Sequence, residues 1–182
     1  MRLNKVFIFL ALVFGFVVTA EISINHQRKI SNEQNIEQPA MDLTDADKQK
    51  LWDEYYSKIR RRRLAEAKIL WSNMLIDGIN ENTELQMDFK HFCPIENDAI
   101  NLAKQLSENY EMKTSFDKEQ NMWFVYGTTR PYSTTVSQEN FIKWIEFMAD
   151  VANSYACVFT NWTIEAPKLD KIFKSEIIET GI

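Results

Sequence analysis

The chain has 182 residues, 45% hydrophobic and 26% charged, with 4 Gly, 4 Pro and a net charge of −5. That balance supplies enough apolar material for a core and excludes collagen-like, low-complexity and wholly disordered chains. Two Cys and two His exclude a disulfide-rich scaffold and a zinc site built from those residues, and the acidic sign argues against general affinity for nucleic acid or anionic membranes.

The N-terminus carries Arg2 and Lys5 and no acid, then 15 residues, 6–20, without a charged side chain, closing on Val18, Thr19 and Ala20 before Glu21. A basic start, a short apolar run and a small-residue exit describe a secretory signal peptide. The run is shorter than the roughly 20 residues a spanning helix needs. An uncleaved anchor is the alternative, and membrane contact would then be confined to residues 6–20. Either reading places the rest of the chain outside the cytoplasm, secreted or periplasmic, because the basic residues precede the apolar run. Cleavage after Ala20 removes two bases and takes the net charge from −5 to −7.

Residues 21–43 are polar and aperiodic and read as a flexible linker. Thr44 offers an N-cap, with Asp45 and Asp47 in the first turn where the helix dipole favours negative charge. Leu51, Trp52, Tyr55, Tyr56 and Ile59, then Ala67, Leu70, Trp71, Met74 and Leu75, recur at helical spacing until Gly78. The segment 44–78 is therefore predicted as one long helix, or two with a break near the arginines. The four consecutive arginines at 60–63 spread around a helical cylinder, with Asp53, Glu54 and Glu66 close enough to screen them, and read as a solvated segment.

From Glu84 the period changes to two. Leu85, Met87, Phe89, His91 and Cys93 alternate with more polar residues, a half-buried strand that Pro94 ends. Ala99, Leu102, Ala103, Leu106 and Tyr110 make a helical face. Residues 112–116 and 122–126 read as a hairpin around the polar turn 117–121. Ser137 caps a second amphipathic helix, with Val136 and Phe141 placed as a hydrophobic staple. Residues 157–164 form a last strand, and Pro167 ends it. The order strand, helix, strand, strand, helix, strand predicts an α+β ferredoxin-like sandwich, a four-stranded antiparallel sheet with both helices on one face. Residues 167–182, with Lys168, Lys171 and Lys174 among Leu169, Ile172 and Phe173, read as an amphipathic tail.

The stretch Met74-Leu75-Ile76-Asp77-Gly78 followed by Leu85-Gln86-Met87-Asp88-Phe89-Lys90-His91-Phe92 resembles the opening of the RraB family, the protein regulators of ribonuclease E. Asp150-Val151-Ala152 and Asn161-Trp162-Thr163 are similar to its last helix and Trp-bearing strand. The resemblance covers residues 67–166 and implies an RraB-like domain over 79–166 that acts by binding protein. It carries no catalytic residues over. Ribonuclease E is cytoplasmic, so ribonuclease regulation would require that the N-terminus not export the chain. The tail, with its lysines, also departs from the acidic tails of the best-known members.

Candidate chemistry is sparse. His91 and Cys93 share a strand face, where a Cys–His nucleophilic pair would sit, but they share it with core residues. No phosphate loop, metal-ligand pair on a helix or dinucleotide fingerprint is present, so no cofactor or metal is expected. Residues 81–166 hold 13 acids and 6 bases, a sign that repels phosphates, so RNA binding is not expected. The remaining reading is a non-catalytic protein-binding domain, with Trp123, Phe92, Trp162, Lys90 and Lys113 expected on the open sheet face; the alternative is that the N-terminal helix, through Trp52, Tyr55 and Tyr56, or the C-terminal tail covers that face. In a ferredoxin-like sheet Cys93 ends the first strand and Cys157 begins its antiparallel neighbour, so a disulfide between them is expected. A one-residue slip or bulge would put the two side chains on opposite faces.

Overall fold

A computed structural model describes residues 43–181. The chain divides into two units, Met1–Asp53 and Glu54–Ile182. The apolar run 6–20 and the linker up to residue 42 lie outside the described residues.

Helix α1 spans Asp45–Ile76. Its start is fixed by a reciprocal cap. The Thr44 hydroxyl accepts from the Asp47 amide at 3.2 Å, and the Asp47 carboxylate accepts from the Thr44 amide at 3.2 Å. The helix stops at Gly78, whose φ of +88° is a left-handed C-terminal position that suits glycine.

The second unit is an α+β fold on a five-stranded antiparallel sheet: β1 (Gln86–Cys93), β2 (Glu111–Asp117), β3 (Met122–Thr128), β4 (Val158–Ala166) and β5 (Lys171–Lys174). Helices α2 (Glu96–Leu106) and α3 (Gln138–Ser154) connect β1 to β2 and β3 to β4. The sheet order is β2-β3-β1-β4-β5. The predicted tail is thus in part a strand, with Phe173 opposite Ile164 and Lys171 opposite Ala166. Only Phe173 is buried; Lys171, Ile172 and Lys174 are exposed, as befits an edge strand. Helix α2 ends before Tyr110, which instead turns into β2 and accepts a 3.0 Å hydrogen bond from the Trp144 indole on α3.

The turns use the chemistry their residues offer. Asp117 accepts from the Glu119 and Gln120 amides at 2.9 and 3.1 Å, and Asn121 takes a φ of +51° to enter β3. The Ser137 hydroxyl accepts from the Asn140 amide at 3.3 Å to start α3.

The core lies between the sheet and the helices. Phe89 makes edge contacts with Tyr110 and Trp144 at centroid distances of 5.0 and 5.8 Å, and Trp71 of α1 packs on Phe141 of α3 at 5.4 Å. Gly127 lies opposite Phe89, and a Cβ there would meet the Phe89 ring at 2.2 Å. Its missing side chain makes room for that ring.

Candidate functional site

The two sheet faces follow from register. Along β1 burial alternates strictly, with Met87, Phe89, His91 and Cys93 turned to the helices. On β3, Trp123 lies opposite Cys93 and Val125 opposite His91, so both belong to that helix-facing side. Phe124 and Tyr126, opposite Phe92 and Lys90, belong to the open face. The expectation for Trp123 is therefore corrected. Both faces of β3 carry aromatic residues, so periodicity alone could not tell which one faces the helices.

Trp162 is corrected for a different reason. The β1–β4 register runs Phe89–Trp162 and Lys90–Asn161, then jumps to His91–Phe159. Thr160 is the extra residue, a β-bulge. It inverts the strand's parity, so Phe159 and Trp162, three apart, fall on one face. Their rings stack at 5.2 Å with a 16° interplanar angle, both buried.

The same bulge decides the cysteines. Beyond it Phe92 faces Val158, which brings Cys93 opposite Cys157. Their sulfur atoms are bonded and their Cα atoms lie 4.4 Å apart. The polar groups that the bulge frees find partners. The Thr160 hydroxyl donates to the Lys90 carbonyl at 2.8 Å, the Arg63 guanidinium donates to the Phe159 carbonyl at 3.1 Å, and the Tyr56 hydroxyl donates to the Cys157 carbonyl. Tyr56 and Arg63 are two turns apart on α1, so one helix stripe braces the start of β4.

The arginine run is correspondingly more than a solvated segment. Arg60 bonds Glu146 and Asp150 of α3, and Arg62 and Arg63 hold the buried Glu66 at 2.8 and 2.6 Å. Arg61 is exposed.

His91 has no nucleophilic partner in this arrangement, because the Cys93 sulfur is bound to Cys157. The imidazole is fully buried, 5.7 Å from the Phe89 ring and 5.1 Å from Phe159. Burial drives its pKa down to about 3, against the weaker opposing pull of the Met148 and Val125 backbones. Among the described residues no His, Cys, Asp and Glu cluster has the makings of a metal site, and no helix is long and apolar enough to cross a membrane.

The open face has two halves. At one end Arg130 reaches over the sheet to Asp88 at 3.2 Å, to Gln86 and to Glu165, while the Thr128 hydroxyl donates to Asp88 at 2.5 Å. This network pins the loop after β3. At the other end the Lys90 ammonium lies 3.8 Å from the centre of the Phe124 ring and 5.6 Å from that of Tyr126. Phe92 lies opposite Phe124, and the exposed Lys113 lies opposite Tyr126. Of the five residues expected on this face, Lys90, Phe92 and Lys113 are there. Phe124 and Tyr126 take the places given to the two tryptophans. The signal for them was readable only after β1 and β3 had been put in register.

No family model and no curated protein matches the chain.

Proposed function

We propose that the chain is an exported, non-catalytic protein-binding module with a ferredoxin-like, RraB-like domain, and that the aromatic–cationic half of its open sheet face is the docking surface. The observation that carries this reading is the Lys90 ammonium set over Phe124 and Tyr126, beside Phe92 and Lys113. Phe124 is itself buried, so what the face offers a protein partner is the exposed Tyr126 and Lys113 with the half-buried Lys90 and Phe92, apolar area beside directional charge, the composition of energetic centres in interfaces. The β2-β3-β1-β4 order, with a helix in each crossover, supports the ferredoxin-like reading. The paired Cys93 and Cys157 suit an oxidising compartment, which supports export.

The test uses the full chain expressed with its own N-terminus. Affinity capture from the extracytoplasmic fraction with wild type and with Tyr126→Ala/Lys113→Glu should yield a partner that the double variant loses. The variant's melting temperature should stay within a few degrees of wild type, since both residues are exposed. Equal capture by both proteins would remove the open face from consideration.

A further inference from the structure

A second surface lies at the opposite edge of the sheet, away from the aromatic–cationic patch. Strand β5 is an edge strand, paired with β4 alone. Among the described residues no strand pairs with its outer side, and a sheet edge of this kind is where a further strand can add. Beside it runs an apolar cleft of about 380 Å³ between the last turns of α1 and the C-terminal segment. Leu70, Asn73, Ile76 and Asp77 line it from the end of α1, and Ile172 and Ile177 from the C-terminal segment.

Three of those side chains are unusually bare for isoleucine: Ile76 is 85% exposed, Ile177 75% and Ile172 60%. Single exposed apolar residues are ordinary, but three around one cleft next to a bare strand edge make a continuous feature. The rim is basic. Lys168 and Lys171 are paired, with Glu84 at 3.1 Å and Asp77 at 3.2 Å. Lys174 also lines the cleft and has no acidic partner among the described residues.

We propose that β5 and this cleft bind an extended segment of another protein by strand addition, and that the segment carries branched aliphatic side chains at alternate positions and a carboxylate beside Lys174. Alternation follows from the period of an added strand. Every second side chain drops toward Leu70 and Ile76, and those between lie along Ile172 on the open face. The backbone row supplies the pairing, the leucine and isoleucines of the cleft favour aliphatic side chains, and Lys174 sets polarity along the strand. A second copy of this chain is a poorer occupant, because two β5 edges brought together would oppose their own lysines.

The experiment selects random heptapeptides displayed on phage against the full chain, then measures the enriched peptide by fluorescence anisotropy. The expected outcome is enrichment of alternating Val or Ile with Asp or Glu at one end. Ile76→Glu and Ile177→Glu should each weaken that peptide at least tenfold, and both positions are too exposed for the substitutions to threaten folding. Lys174→Glu should turn the selected acid into Lys or Arg. Amide exchange at residues 171–174 should slow when the enriched peptide is added. Tyr126→Ala should leave this binding unchanged, which separates it from the open-face reading. Absence of any enriched pattern, or enrichment insensitive to all three cleft variants, would overturn the proposal. So would a dimer in light scattering that Ile177→Glu dissolves, since the cleft would then belong to a second copy.

Discussion

Cys93 and Cys157 face each other at a Cα separation of 4.4 Å because β4 carries one residue too many, Thr160. With unbroken pairing from Gln86–Glu165 onward, Cys93 would meet Val158 and the two sulfur atoms would point to opposite sides of the sheet. A bulge that sequence reasoning treats as the hazard for this pairing is what creates it.

The cross-link closes a separation of 64 residues. In the chain-entropy treatment a loop of that length stabilises the folded state by about 4 kcal/mol through the unfolded chain. Urea unfolding of Cys93→Ala/Cys157→Ala should show a loss of that order, and reduced wild type should match it. Mass spectrometry under non-reducing conditions should find no free thiol and, if the chain is exported as proposed, a first residue of Glu21.

Arg63 and Arg61 should separate sharply. Arg63 serves the buried Glu66 and the Phe159 carbonyl at the bulge, so Arg63→Met leaves two acceptors short of a donor. A cost of about 2–3 kcal/mol is expected, softened by the Arg62 contact that remains. Arg61→Met should stay within about 0.5 kcal/mol. Chemical denaturation of the two variants side by side checks the contrast, and similar losses would mean that the run acts as a block of charge.

Gly127→Ala tests the packing of Phe89. The added methyl would lie 2.2 Å from the Phe89 ring and 2.8 Å from the Met112 sulfur. Methionine can give way, but a ring held by Tyr110 and Trp144 cannot easily do so. A destabilisation of about 1–3 kcal/mol is expected from calorimetry.

His91 should shape the acid limb of the stability curve. Its pKa is about 3 when folded and ordinarily 6.5, so below pH 6.5 the unfolded chain binds a proton that the folded chain refuses. The contribution is complete above pH 6.5 and is lost as pH falls toward 3, with a slope approaching 1.4 kcal/mol per pH unit. His91→Leu removes the proton acceptor at similar volume. Thermal unfolding from pH 7 to pH 4 should therefore fall less steeply in the variant than in wild type. Parallel slopes would mean that the imidazole gains a proton without unfolding.

Much of the architecture was legible in the sequence because it rests on short-range rules. The period-two run from Leu85 to Cys93, the Thr44 and Ser137 caps, the stop at Gly78 and the Asp117 turn each depend on a few neighbouring residues. The faces of β3 and β4 do not. Trp123 and Tyr126 are both plausible on either side until β1 fixes their register, and Trp162 changes side on a single inserted residue. One signal of that insertion was present: Cys157, Phe159, Trp162, Ile164 and Ala166 break an even spacing between Phe159 and Trp162. Strand β5 was hidden because its four residues bury only Phe173, too little alternation to separate an edge strand from an amphipathic tail. Composition and local pattern thus determined the elements from α1 to β4 and their order, whereas β5, the facing sides and the Arg63 brace were decided by tertiary pairing, because side-chain direction in a sheet depends on which residue of a distant strand lies opposite.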